Sequence, residues 1–424
     1  MSSSTATKLL GLLESLLRAP LPVRLRAWDG SEAGPPDAPV LIVRRRRALR
    51  RLMWQPNELG LARAYVSGDL DVEGDLYEAL HRTAGLIWGS APGGRSMPTP
   101  ADVADLLRLG IAGPQPKPPD EEIAMAGTRH SKRRDRQAIS HHYDVGNDFY
   151  RIVLGESMVY SCAYWTGDYG LADAQRDKLD LICRKLDLKP GMRLLDVGCG
   201  WGSLALHAAR EYGVDVVGIT LSVEQADYAR KQIAEAGLTA HVEIRVQDYR
   251  DVEDGAFDAI SSVGMAEHVG TGPYADYAGI LFHLLKPGGR LLNHQIAALH
   301  PDPAPAGRRQ RSFIDAYVFP DGELAPIGTT VSLLEAAGFE VRDVQALREH
   351  YAKTLRAWVG NLEADWSTAV NLTTPGRARV WRLYMAASAI AFERAHIGVN
   401  QVLCVKTPRD GTSGMAPTRE GWLP

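Results

Sequence analysis

The stretch Arg193-Leu-Leu-Asp196-Val-Gly198-Cys-Gly200-Trp-Gly202-Ser-Leu-Ala-Leu-His-Ala-Ala-Arg210 decides the fold. A short apolar run reads as a buried strand, three glycines two residues apart read as a tight turn, and apolar positions from Leu204 onward repeat at helical spacing. That order is a βα unit of the nucleotide-binding kind. Glycine lets the backbone turn sharply and approach a ligand closely, and Asp196 at the strand end can hold a polar group over the crevice at the carboxyl edge of a parallel sheet. The spacing Asp196-x-Gly198-x-Gly200-x-Gly202 differs from the dinucleotide fingerprint, in which a helix N-terminus faces a pyrophosphate. A ligand without a pyrophosphate suits it, and S-adenosylmethionine is such a ligand. A glycine turn alone also occurs in other α/β folds.

Working outward, Val214 to Thr220 reads as a second strand and Val242 to Val246 as a third that ends at Gln247-Asp248. Phe257 to Val263 makes a fourth, and Arg290 to Ile296 a fifth, after Lys286-Pro-Gly-Gly289. Helical patterns separate most of them. The alternation predicts a doubly wound, Rossmann-like parallel sheet with right-handed crossovers and a ligand at the strand carboxyl ends, the class I methyltransferase arrangement. Asp248 is then placed for an adenine amine; the alternative is a solvated loop acid.

At 424 residues the chain is long enough for one large domain and a smaller one. Residues 1 to about 120 are expected to form an accessory N-terminal domain, α/β or α+β, with a leucine-rich helix (Leu9 to Leu17), a strand at Val40 to Val43 and a turn at Ser67 to Asp69. The run Gly113-Pro-Gln-Pro-Lys-Pro-Pro119 reads as the linker, residues 121–406 as the catalytic domain, and residues 407–424 as a disordered tail. A net charge of −3 gives no general attraction to nucleic acid. Cys162, Cys183, Cys199 and Cys404 have no metal-ligand spacing, so no metal is expected and a reducing cytoplasm is. No apolar run approaches the roughly 20 residues that span a bilayer, so a lipid substrate would be met at the inner membrane surface, with the protein peripheral.

From about residue 131 to 405 the chain resembles the cyclopropane-fatty-acyl-phospholipid synthases and their relatives, including the mycolic acid methyltransferases. The resemblance is carried by His141-His-Tyr-Asp-Val-Gly-Asn-Asp-Phe149, Tyr160-Ser-Cys-Ala-Tyr-Trp165, Leu195 to Gly202, Gly218-Ile-Thr-Leu-Ser222 with Gln225, and Gly264-Met-Ala-Glu-His-Val-Gly270. It implies that Tyr143, Tyr160, Ser161, Gly198, Gly200, Thr220 and Gln225 surround the methyl donor, with Asp248 and Tyr249 near the adenine. The second strand ends in Thr220-Leu-Ser rather than in an acid for the ribose, as in this family. Leu59-Gly-Leu-Ala-Arg-Ala-Tyr65-Val-Ser-Gly-Asp69 looks like the accessory domain of the longer bacterial members, which favours a phospholipid acyl chain over mycolate.

The chemistry implied is methyl transfer to an isolated alkene, followed by proton loss from the resulting cation. Loss from the new methyl closes a cyclopropane, and loss from a neighbouring chain carbon leaves a methylene branch, so placement of the base selects the product. The resemblance implies a bicarbonate base held by Cys162, Glu267, His294, Tyr351 and the backbone amide of Ile296. Read by themselves, Cys162 can be a small buried hydrophobe and His294 an outward polar residue of a strand. Glu267 is costly to bury unpaired, which argues for a ligand. His268 is expected to be structural.

Asn293-His-Gln-Ile-Ala297 departs from the His-Thr-Ile-Gly pattern of cyclopropane synthases and, with the arginine-rich N-terminal region, looks closer to actinobacterial enzymes that make 10-methylene or 10-methyl (tuberculostearic-type) stearoyl chains. A separate reductase partner would then saturate the methylene. Cyclopropanation is the alternative product. A methyltransferase for a small amine or phosphoethanolamine is the rival enzyme, and a silent lipid-binding subunit the rival of another class. Arg44 to Arg47 with Arg50 and Arg51, and Lys132 to Arg134 with Arg136, are candidates for gripping anionic head groups, or else for internal ion pairs. A homodimer through the N-terminal domain is a further expectation.

Overall fold

The computed structural model describes residues 4–88, 100–123, 131–135, 145–299 and 311–419. They divide into two compact units: Met1–Ala124 with Arg308–Val318 and Trp366–Ile390, and Met125–Gly307 with Phe319–Asp365 and Ala391–Pro424.

The smaller unit holds a four-stranded sheet of β1 (Arg24–Arg26), β2 (Glu32–Ala33), β3 (Val40–Val43) and β4 (Leu70–Glu73), in the order β2-β1-β3-β4. The helix Thr5–Leu17, capped by the Ser4 side chain, buries Leu9 and Leu12 against Leu25 and Val43. Two segments from far along the chain return to this unit, where a boundary near residue 120 was expected. Arg379, in the helix Pro375–Glu393, donates to the carbonyls of Tyr65 (2.6 Å) and Leu70 (2.8 Å) and pairs with Asp71 at 3.1 Å. Contacts across some 300 residues leave no trace in local periodicity. Four arginines of the first basic cluster bond within this unit: Arg44 pairs with Asp71 (3.0 Å), Arg47 with Asp69 (2.7 Å), and Arg50 and Arg51 donate to the carbonyls of Ile111 (3.0 Å) and Lys117 (2.7 Å). The proline-rich run is therefore tied down at Lys117.

The larger unit is built on a seven-stranded sheet in the order β10-β11-β9-β8-β5-β6-β7, with β5 (Arg193–Val197), β6 (Asp215–Thr220), β7 (Val242–Val246), β8 (Phe257–Val263), β9 (Leu285–Ala298), β10 (Glu340–Ala346) and β11 (Ile397–Val405). β5 to β9 are mutually parallel, and β11 runs antiparallel to both β9 and β10. The β5-to-β9 strands fall where the sequence placed them; β10 and β11 were not anticipated. One sheet face packs on the helices Leu171–Leu186 and Ser203–Tyr212 through Leu194, Val216, Ala259 and Leu292. The other packs on Tyr274–Leu284 and Ile327–Ala336 through Leu195, Val217, Ile260 and Leu291. Chain order reverses at β5, between β6 and β8, so a crevice opens at its carboxyl end. In the second basic cluster Lys132 pairs with Asp251 (2.5 Å) and Arg134 with Asp321, while Arg136 lies outside the described residues. The tail, expected to be disordered, is held as far as residue 419: Arg290 donates to the Gly414 carbonyl at 3.2 Å, and Arg419 pairs with buried Asp343. Among the described residues no helix is long and apolar enough to cross a membrane.

Candidate active site

A cavity of about 150 Å³ opens at the carboxyl end of β5. Tyr160, Ser161, Asp196, Gly198, Gly200, Thr220, Gln225, Asp248 and Tyr249 line it, as the sequence grouped them. Gly198, Gly200 and Gly202 have φ of +74°, +54° and +83°, conformations that side chains with a Cβ rarely adopt. A Cβ on Gly198 would fall 2.4 Å from the Met265 sulfur on the cavity wall. Gly202 differs: it is absent from the cavity lining, and its added Cβ would meet the Ala229 Cβ at 2.8 Å. Its part is to bring the helix Ser203–Tyr212 close to its neighbour. Tyr143 lies outside the described residues.

Thr220 donates to Gln225 at 2.9 Å, and Ser222 caps the helix Val223–Glu235. Burial would raise the Asp248 carboxylate, but Arg250 grips it through Nε (2.8 Å) and Nη2 (2.6 Å) and holds it below the usual range. Burial pushes Asp196 up to about 6, against hydrogen bonding from Ser261 at 2.7 Å. The sequence reading missed Lys178. It is 2% exposed, lines the cavity and donates to Ser161 Oγ at 2.9 Å, and burial brings it down to about 8. A signal was available: with Ala174, Ile182 and Lys185 it puts charge on the buried stripe of the helix Leu171–Leu186. Gln175, one turn earlier, donates to the Ser161 carbonyl at 3.0 Å and fixes the Tyr160 loop.

Of the second group of residues, Glu267 and His294 lie where β9 outruns β8. The pairing of β8 with β9 ends at Val263↔His294, so the Ile296 amide has no strand partner on that side. Glu267, in the short helix Ala266–Val269 that follows β8, takes its place, accepting from Ile296 N–H through Oε1 at 2.7 Å. The residue is partly exposed, yet its Oε2 is buried with no partner among the described residues. Burial raises this carboxyl to about 7. His294 Nε2 is likewise buried and without a partner among them, and burial lowers the imidazole to about 3. Cys162 is wholly buried, its thiol pushed up by burial and within reach of the carbonyls of Ala163 (3.2 Å) and Leu347 (3.7 Å). The Leu347 carbonyl also receives the Tyr351 N–H, at 3.1 Å, so Cys162 and Tyr351 share an anchor. His268 stacks edge-on to Phe319.

Asn293 and Gln295 point to the opposite sheet face. There they join a buried network, Asn293 to Gln295 (2.7 Å), Gln295 to Thr330 (2.8 Å) and Tyr277 to Ser262 (2.7 Å). A row of rings, Trp201, Tyr150, Tyr160, Trp358, Tyr351 and Phe392, runs from the glycine loop past Tyr351 with neighbouring centroids 4.7 to 6.0 Å apart. Among the described residues no group of histidines, cysteines and acids has the makings of a metal site.

The family model for mycolic acid cyclopropane synthetase matches residues 130–402. A probable fatty acid methyltransferase of Mycobacterium tuberculosis is 44% identical over 414 residues, 95% of this chain and 95% of its own length. The cyclopropane-fatty-acyl-phospholipid synthase of Escherichia coli K12 is 37% identical over 314 residues, 72% of this chain and 78% of its own. The crystal structure of mycolic acid cyclopropane synthase CmaA1 complexed with SAH and CTAB superposes with a TM-score of 0.60 at 35% identity, covering 64% of this chain and 98% of that one.

Proposed function

Since the chain belongs to the mycolic acid cyclopropane synthetase family and is an S-adenosylmethionine-dependent methyltransferase acting on lipid acyl chains, we propose that it methylates the double bond of an unsaturated phospholipid acyl chain to leave a 10-methylene branch. The observation that carries methylation of an alkene is that Glu267 Oε2 and His294 Nε2 are both buried polar atoms without a partner among the described residues, Glu267 being held by the Ile296 amide. Methyl transfer to an amine needs no such pair. Alkene methylation does, because the cation it creates must lose a proton to a base.

A small oxyanion that can carry a proton fits this donor and acceptor set, and bicarbonate is our choice. Glu267, His294, Cys162 and Tyr351 would hold it, and it would supply the base; the Ile296 amide, which the resemblance implied as a further holder, donates to Glu267 instead. Methyl donor in the β5 cavity supplies an electrophilic methyl group. Asp196, Thr220, Gln225 and Asp248 orient the donor there, and Tyr160 and Ser161 close it over. The ring row excludes water from the developing cation and offers it π-faces.

Cyclopropanation remains the second reading, and one observation favours keeping it. Asn293 and Gln295, whose difference from the cyclopropane synthase pattern suggested a methylene product, lie on the sheet face opposite His294. The test is incubation with the methyl donor and oleoyl phospholipid vesicles, then mass spectrometry of the released chains with double-bond-sensitive derivatisation. A gain of one carbon with the alkene retained is expected, and a separate reductase would be needed to saturate it. The same gain without an alkene would mean cyclopropanation, and no gain would favour a small amine or phosphoethanolamine substrate.

A further inference from the structure

His294 and Gln401 face each other in direct register across the antiparallel pair of β9 and β11. Nε2 of the Gln401 amide lies 3.3 Å from Nδ1 of the imidazole, and both side chains are buried. One atom on each stays without a partner among the described residues, Oε1 of Gln401 and Nε2 of His294. The ring is neutral, since burial opposes its charging and the buried cations Lys178 and Lys185 oppose it further. A neutral imidazole carries a single proton, and the group facing one nitrogen decides which nitrogen has it. Two amide orientations are open to Gln401. With N–H toward Nδ1, a buried carbonyl goes short of a donor. With the carbonyl toward Nδ1, a buried NH₂ goes short of an acceptor, and orphaned N–H groups are the rarer of the two in protein interiors.

We infer that Gln401 is a positioning residue that fixes the tautomer of His294: its amide N–H donates to Nδ1, so that the ring proton sits on Nε2 and points away from the strand pair as a hydrogen-bond donor. Given the proposed function, on which this rests, His294 then does not take the substrate proton. Its one lone pair is occupied, and it acts as a neutral donor to one oxygen of a small oxyanion. Glu267 faces the same guest with an oxygen that can accept or, when protonated, donate. The two residues therefore divide the work: an imidazole that only donates, and a carboxyl whose proton can come and go. No charge change at His294 is needed during turnover.

The test is a long-range proton–nitrogen correlation spectrum of the full-length protein labelled with ¹⁵N-histidine, with His294→Gln identifying the His294 signals. The wild type is expected to show a neutral ring with its proton on Nε2. Gln401→Glu places a carboxylate opposite Nδ1; the proton should move to Nδ1 or the ring become charged, and kcat should fall roughly tenfold or more with the KM for the methyl donor nearly unchanged. Unshifted signals from the other histidines report that the variant is folded. A wild-type proton on Nδ1 would overturn the inference, whatever the activity. If the tautomer moves and turnover does not, the role of Gln401 stands and it is His294 as a holder of the base that fails.

Discussion

Glu267 accepts the backbone N–H of Ile296 at 2.7 Å with one carboxylate oxygen and keeps the other buried and unpartnered among the described residues. The first oxygen replaces a missing sheet bond; the second is the one the proposed function assigns to the base. Glu267→Gln retains an oxygen for Ile296 but cannot exchange a proton. Turnover on oleoyl vesicles is expected to fall by about 10²- to 10⁴-fold, with donor affinity by calorimetry within a factor of about two. Loss of donor binding as well would move Glu267 out of the base-holding group.

The same carboxyl makes stability depend on pH. Its folded-state pKa of about 7 lies above the ordinary 4.5 because burial disfavours the charged form. Below pH 4.5 it is protonated folded or unfolded and costs nothing. As pH rises toward 7 the unfolded chain ionises first, and the native state loses up to about 3 kcal/mol. Glu267→Gln lacks this loss. Melting of the variant and the wild type, compared from pH 5 to pH 8, should show the variant gaining ground as pH rises; a constant difference would mean that the carboxyl is not desolvated.

What the sequence disclosed was what is local. β5, its glycine turn and the following helix form one continuous stretch, and β6 to β9 keep the same rhythm, so the crevice and most of its lining followed. β11 was missed although Ile397 to Val405 is apolar apart from Gly398, Asn400 and Gln401, because its antiparallel insertion between β9 and β10 depends on partners far earlier in the chain. Asn293 and Gln295 read as neighbours of the reaction only because sequence proximity to His294 hid the alternation that turns them to the opposite face. Lys178 went unnoticed because a lysine on a helix is ordinarily solvated, and only the depth of its burial makes it part of the site.

Two glycines of the loop should separate cleanly under substitution. Gly198→Ala drives a Cβ into Met265 at the cavity wall, whereas Gly202→Ala drives one into Ala229 between helices. Both have positive φ, so each variant is destabilised, by about 1–3 kcal/mol. Only Gly198→Ala is expected to weaken donor binding strongly, by tenfold or more at roughly 1.4 kcal/mol per decade, as read by calorimetry at a temperature where both variants are folded. Equal losses of affinity would return Gly202 to the donor site.

Lys178 offers the sharpest division between stability and function. Its folded pKa of about 8 lies below the ordinary 10.5 because burial disfavours the cation. The sign is therefore opposite to that of Glu267: the unfolded chain holds the proton more tightly, and the wild type gains stability as pH rises from about 8 to 10.5. Lys178→Met removes the buried charge. At pH 7 the variant should be as stable as the wild type or more so, by up to about 3 kcal/mol. Donor binding should nevertheless weaken, roughly tenfold, because Ser161 loses its buried donor and Asp196 loses the cation that offsets its burial. With Asp196 already near 6, its pKa should rise further in the variant, so the pH below which donor affinity fails should move upward. Calorimetric titrations from pH 5.5 to 8 measure this. A stable variant that binds the donor with an unmoved pH profile would make Lys178 a passive member of the core.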